Sequence, residues 1–247
     1  MKKSLLIAGL FAACLIAGCD DPPNRAAAPK ADDVKGFTNR TWFGSEPTKD
    51  LDPVLTRRNF LIVLDGSSSM SEGSGDGRTS KIDAAKNAIA VFAAKVGADD
   101  NLGLCAFDSQ GVTLRSPLGV NNRQQFGAAL RDVNSDSGTP LSTAVELGYS
   151  VLQAQARRQL GYGEYYLVIV TDGEANDGYD PTDIVDKIVA ESPVVIYTIG
   201  FRIGSGHSLN RPGLTVYKDA NNPEELGQGL ESVLAESETF KDAAAPN

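Results

Sequence analysis

The chain has 247 residues, with 32 Asp and Glu against 23 Lys and Arg, a formal net charge of −9 and three cysteines. An acidic chain with no basic stripe is a poor fit to nucleic acid or to charge-driven adhesion to anionic lipid. The length suits one domain with a substantial core plus a tether, and three cysteines are too few for a disulfide framework.

Residues 1–18 read as a leader. Lys2 and Lys3 form a basic start, Leu5 to Ala17 is almost wholly apolar, and the stretch is short for a membrane span. Ile16-Ala17-Gly18-Cys19 resembles the bacterial lipobox, so Cys19 is expected to be acylated and to become the mature N-terminus. Asp20 directly after it resembles an inner-membrane retention signal. The expected location is therefore the periplasmic face of the inner membrane rather than the outer membrane. With Cys14 removed and Cys19 acylated, Cys105 is left as a small core residue in strand context.

Residues 19–58 are the expected lipidated N-terminus and flexible tether. DDPPNRAAAPKADD is too polar and proline-rich to bury a core, and a coil of this length spans roughly 35 Å. Phe37, Trp42 and Phe43 interrupt it. Packing on the domain flank is the expected role, with a docking motif as the alternative.

The domain is expected over 59–238. Phe60 to Leu64 is a continuous apolar run broken by Asp65 and Gly66, so Asn59 to Leu64 reads as a strand covered on both faces. The glycine-rich loop Ser71 to Ser80 is expected to be mobile, with Asp76 solvated at its surface. A helix follows over Lys81 to Val96, with Ile82, Ala85, Ile89, Phe92, Ala93 and Val96 on one face. Strands are expected at Asn101 to Phe107 and Val112 to Leu118. The link between them is too short for a parallel crossover, so the second is an antiparallel edge. A short helix covers Arg123 to Arg131.

Thr139 then suits an N-cap and Pro140 the first turn of a long helix to Gln159. Tyr165 to Val170 is a second buried strand, ending in Thr171-Asp172-Gly173-Glu174. A helix over Pro181 to Glu191, a strand over Val194 to Ile199, an edge strand over Leu214 to Tyr217 and a helix over Pro223 to Leu234 complete the domain. The tail 239–247 is expected to be disordered.

Ligands of doubly covered sheets sit outside the carboxyl ends of the strands. Asp65, Ser67 and Ser69 fall there, with Thr139 and Asp172 on neighbouring loops. Together they offer oxygen donors only, which suits a hard cation. Singly, the hydroxyls also read as helix caps and the aspartates as strand ends. Glu174 and Asn176 are candidates for the rim. Ser68 reads as structural, Met70 as core, and His207 as an exposed loop residue.

FLIVLDGSSSM, SGTPL and VTDGEAN resemble the von Willebrand factor type A domain and its metal-ion-dependent adhesion site. SKIDAAK resembles bacterial members. The resemblance implies a three-layer α-β-α, Rossmann-like α/β fold with a mostly parallel sheet of order 3-2-1-4-5-6 and one antiparallel edge strand. It also implies a metal bound by Ser67, Ser69 and Thr139, with Asp65 and Asp172 acting directly or through water. Mg2+ is the expected ion, with Mn2+ or Ca2+ as alternatives, one per domain. An Asp or Glu of a protein partner would complete the coordination. On this reading the chain is a membrane-tethered binding module and not an enzyme. The alternatives are a metal-dependent, phosphoesterase-like hydrolase, or a scaffold whose metal is only structural. A serine hydrolase has no support, since the nucleophile elbow is absent and His207 is the only histidine.

Overall fold

A computed structural model describes residues 49–244. The leader, Cys19, Phe37, Trp42, Phe43 and the last three residues lie outside the described residues. The elements are β1 (Arg58–Asp65), α1 (Lys81–Lys95), β2 (Asn101–Asp108), β3 (Gly111–Gly119), α2 (Arg123–Asp132), α3 (Leu141–Arg158), β4 (Glu164–Thr171), α4 (Thr182–Glu191), β5 (Val195–Phe201), β6 (Val216–Ala220) and α5 (Pro223–Ala244). They form one six-stranded sheet in the order β3-β2-β1-β4-β5-β6. The β2–β3 pair is antiparallel and every other pair is parallel. The mixed α/β sheet and its order are those expected from the sequence.

Every residue of β1 is buried. Its side chains alternate between two cores, as the pleat requires. Phe60, Ile62 and Leu64 join α1, α2 and α5 on one face. Leu61 and Val63 join α3 and α4 on the other. Phe60 stacks on Tyr166 with ring centroids 4.9 Å apart and meets Phe92 edge-on at 5.8 Å. Cys105 is fully buried in β2, where burial pushes its thiol up to about 12, so it is inert packing. Met70 is likewise fully buried. Among the described residues, no helix is long and apolar enough to cross a membrane.

The start of β1 is held by buried polar side chains. The Arg58 guanidinium lies against the Asp100 carboxylate at 2.6 Å and donates to Ser237 Oγ of α5 at 3.1 Å. Asn59 Nδ2 donates to Gln159 Oε1 at 2.8 Å, and Asn101 Nδ2 donates to Asn59 Oδ1 at 2.8 Å. The segment before β1 is fastened as well. Asp52 is buried, its N–H donates to Arg158 O at 2.8 Å, and its Oδ2 accepts from Gln155 Nε2 at 2.9 Å. Residues 52–58, read from composition as tether, therefore lie against the domain.

Other expectations are revised. The loop 71–80 is built around Asp76, whose Oδ1 accepts from Ser74 Oγ at 2.8 Å, Arg78 N at 2.8 Å and Thr79 N at 2.9 Å. The Thr79 and Arg78 N–H groups hold the Asp76 carboxyl far below the usual range. The loop is thus tied together from within, with Ser74 fully buried and Asp76, still exposed to solvent as expected, accepting bonds at its centre. The last strand is displaced toward the C-terminus. Leu214 and Thr215 donate their N–H groups to Arg211 O, and Thr215 Oγ1 donates to Leu209 O at 2.6 Å, so they form a turn before β6. The last helix runs to Ala244 instead of ending at Leu234, taking in part of the expected tail.

Gly66, just past β1, is a close-approach position. A Cβ there would lie 2.5 Å from Phe107 O and nearer still to Asn134 O, both backbone atoms that cannot swing away. Gly66→Ala is expected to destabilise the domain by about 3 kcal/mol in urea denaturation. Gly73→Ala, which meets nothing within 4 Å, should stay within about 0.5 kcal/mol of wild type.

Candidate functional site

The site lies where β1 and β4 sit side by side and the chain leaves them in opposite directions. Two loops are clamped together over the end of β1. Gly66 N donates to Phe107 O at 2.8 Å, and Gly66 O accepts from Asp136 N at 3.0 Å and Ser137 N at 3.2 Å. Ser68 N and Oγ both donate to Ser137 O, at 2.8 and 3.2 Å. Ser68 is thus structural. A single 3-10 turn, Ser68–Ser71, follows, with Met70 anchoring it from below.

This clamp aims alternate side chains at one cup. Ser67 Oγ and Ser69 Oγ are 3.0 Å apart. Ser69 Oγ donates to Asp172 Oδ1 at 2.7 Å, and Ser67 Oγ lies 3.5 Å from the same oxygen. Asp65 is fully buried beneath them. Its Oδ1 accepts from Ser67 N at 2.7 Å and its Oδ2 from Thr171 Oγ1 at 2.5 Å. Burial pushes the Asp65 carboxyl up to about 6, and the bonds from Ser67 and Thr171 pull against that rise.

Thr139 joins the cup by a route that sequence reasoning misjudged. It does not cap α3. Pro140 has ψ 63°, Leu141 N donates to Thr139 O at 2.9 Å, and α3 starts only at Leu141. That is an inverse γ-turn, which the proline ring favours and which is not helical. The Thr139 side chain is thereby released from capping. Its N–H donates to Asn176 Oδ1, and Asn176 N returns a bond to Thr139 O at 3.1 Å. Thr139 Oγ1 and Ser69 Oγ are each 3.9 Å from where Gly173 would carry a Cβ, so both hydroxyls border one small space. All five residues singled out in the sequence therefore meet here. Asn176 acts as a brace for Thr139. Glu174 is turned toward Ser208, whose N–H it accepts at 3.3 Å.

Three further residues belong to the neighbourhood. Thr171 is the hydroxyl donor to Asp65. His207 is buried, contrary to the expected exposed position. Its Nδ1 accepts from Leu209 N at 2.9 Å, so the proton is on Nε2, which donates to Gly173 O at 2.9 Å. His207 thus braces the loop that carries Asp172. Lys81, the first residue of α1, donates from Nζ to Asp172 Oδ2 at 2.7 Å and to Glu72 Oε2 at 3.0 Å. The sequence gives these three no signal of their own, because each acts through tertiary contact.

Among the described residues, no group of three or more His, Cys, Asp or Glu is placed to hold a metal. The cup is of another kind: two carboxylates and three hydroxyls, all oxygen, with the buried Asp65 charge only partly offset. That donor set fits a hard divalent cation such as Mg2+ or Mn2+.

Residues 60–174 match the von Willebrand factor type A domain. The matched stretch starts in β1 and ends just past Asp172, and β5 and β6 extend the same sheet beyond it. An uncharacterized protein of Bacillus subtilis, YwmD, is 25% identical over 196 residues, covering 70% of this chain and 83% of its own. Two solved structures share the fold. A von Willebrand factor type A protein of Catenulispora acidiphila is 17% identical, with a TM-score of 0.57 over 74% of this chain and 43% of that one. The manganese-loaded TRAP protein of Plasmodium vivax is 19% identical, with a TM-score of 0.54 over 72% of this chain and 73% of that one.

Thr171→Val tests the support under Asp65. It leaves a buried carboxylate oxygen without its hydroxyl donor. The expected loss is about 1–3 kcal/mol of stability at neutral pH in EDTA, read by urea denaturation.

Proposed function

We propose that this chain is a membrane-tethered binding module that takes an acidic side chain of a protein partner through a divalent cation held at Asp65, Ser67, Ser69, Thr139 and Asp172. The observation that carries the reading is the convergence of these five side chains at the junction of β1 and β4, with only two carboxylates among them. Three neutral hydroxyls leave a bound cation short of negative charge, so an outside carboxylate can complete its shell. The match over residues 60–174 supports a protein-interaction module of a kind that often binds metal. The manganese in the TRAP protein supports the choice of ion.

Binding is favoured over turnover by the same geometry. The position two residues after Asp65 is Ser67, so a second carboxylate of the aspartyl-phosphatase kind is missing there. Both ring nitrogens of His207 are committed to backbone groups, so it is no general base for the serines. Asp65 orients Ser67 through its N–H, and Asp172 orients Ser69 through its hydroxyl. The bound cation would supply Lewis acidity and charge; the protein supplies the oxygen cup and its bracing. The leader and Cys19 are the proposed anchor, holding the domain at the periplasmic face of the inner membrane.

Calorimetry of the metal-stripped chain should show one Mn2+ or Mg2+ bound by wild type and none by Asp65→Ala. A membrane partner should be retained with Mg2+ and lost with EDTA and with Thr139→Ala; equal retention in all three would place the interface elsewhere. Cys19→Ser should move the protein from the membrane to the soluble fraction.

A further inference from the structure

Lys81 occupies an unusual place. It is the first residue of α1, where the helix dipole disfavours a cation, yet its side chain is buried. The position is compensated by two carboxylates. Asp172 Oδ2 accepts from Nζ at 2.7 Å and Glu72 Oε2 at 3.0 Å. The two acids differ in setting: the Asp172 side chain has no exposure, whereas Glu72 is 67% exposed. Asp172 is therefore divided between two tasks. One oxygen faces the Ser67 and Ser69 hydroxyls, and the other is held by an ammonium group.

We infer that Lys81 is a built-in counter-cation that competes with the divalent ion for Asp172 and holds metal affinity down, keeping the ion exchangeable. The inference rests on the metal reading of the cup. The argument is one of charge. Asp65 and Asp172 provide the cup's two carboxylates, and Lys81 cancels one of those charges at hydrogen-bond distance. A divalent ion in the cup meets the Lys81 ammonium across a single carboxylate, in a buried setting where salt screens little. Glu72 moderates this repulsion by drawing part of the ammonium's charge toward solvent. It also fixes the start of α1, since Lys81 N donates to Glu72 O at 2.8 Å.

A residue that merely positioned Asp172 would make the opposite prediction, since its loss would weaken the metal. The direction of the change is thus the readout. Mn2+ is titrated by calorimetry into chelator-stripped wild type, Lys81→Met, Glu72→Gln and the double variant, each checked for folding by thermal melting in EDTA. Lys81→Met should bind Mn2+ at least tenfold more tightly than wild type. Glu72→Gln should bind about threefold more weakly, because Lys81 then bears on Asp172 alone. That weakening should vanish in the Lys81→Met background. Equal or weaker binding by Lys81→Met overturns the inference while leaving the metal site intact. Should Lys81→Met fail to fold, Glu72→Gln decides, and unchanged or tighter binding by it overturns the inference. Absence of Mn2+ binding by every protein, wild type included, overturns the metal reading itself and the inference with it.

Discussion

Asp65 sets the constraint on which the site depends. It ends a strand with no exposed residue, so its carboxylate is buried by the same packing that makes β1 the centre of the sheet. A buried charge must be met by hydrogen bonds or by a counter-charge. The backbone N–H of Ser67, just past β1, and the side-chain hydroxyl of Thr171, at the end of β4, meet part of it. The loop over Asp65 can pass close enough only because residue 66 is glycine. Core packing, loop path and site chemistry are thus one problem solved together.

The second carboxylate is treated differently. Asp172 has direct contact with hydroxyls on one side and an ammonium on the other. The two aspartates therefore differ in kind although both are buried. One is embedded among dipoles, the other paired with a charge. His207, from the loop between β5 and β6, steadies the strand exit that carries Asp172 by donating to Gly173 O. The site thus draws on the C-terminal third of the domain, which lies outside the matched stretch 60–174.

Much of this was legible in the sequence. Continuous apolar runs located β1, β4 and β5, because strands covered on both faces carry no polar alternation. The short link before β3 revealed its antiparallel direction. The five site residues were named by type and by resemblance, and the strand ends bring them together. What escaped was whatever depends on local turn geometry and on tertiary contacts of side chains. Thr139 reads as a cap until Pro140 takes up an inverse γ-turn. The loop 71–80 reads as mobile from its glycines, but Asp76 gathers its N–H groups. His207 reads as exposed because nothing local reveals that Tyr217 stacks over it at 6.0 Å. Residues 52–58 read as tether because only the fold shows Gln155 and Arg158 waiting for Asp52.

The fastening at the start of β1 has a mechanical meaning. The described chain is stitched to α3 through Asp52 and then enters β1 at Arg58, while the cup sits at the other end of the same strand. Tension between the N-terminal side and anything gripped at the cup would run along β1. Its neighbours β2 and β4 are both parallel to it, paired over nearly its whole length. Such a pull loads both ladders in shear, so their hydrogen bonds share the force and must fail together rather than peel one at a time. A strand with no exposed residue, flanked on both sides by parallel partners, is thus also the one placed to bear a load.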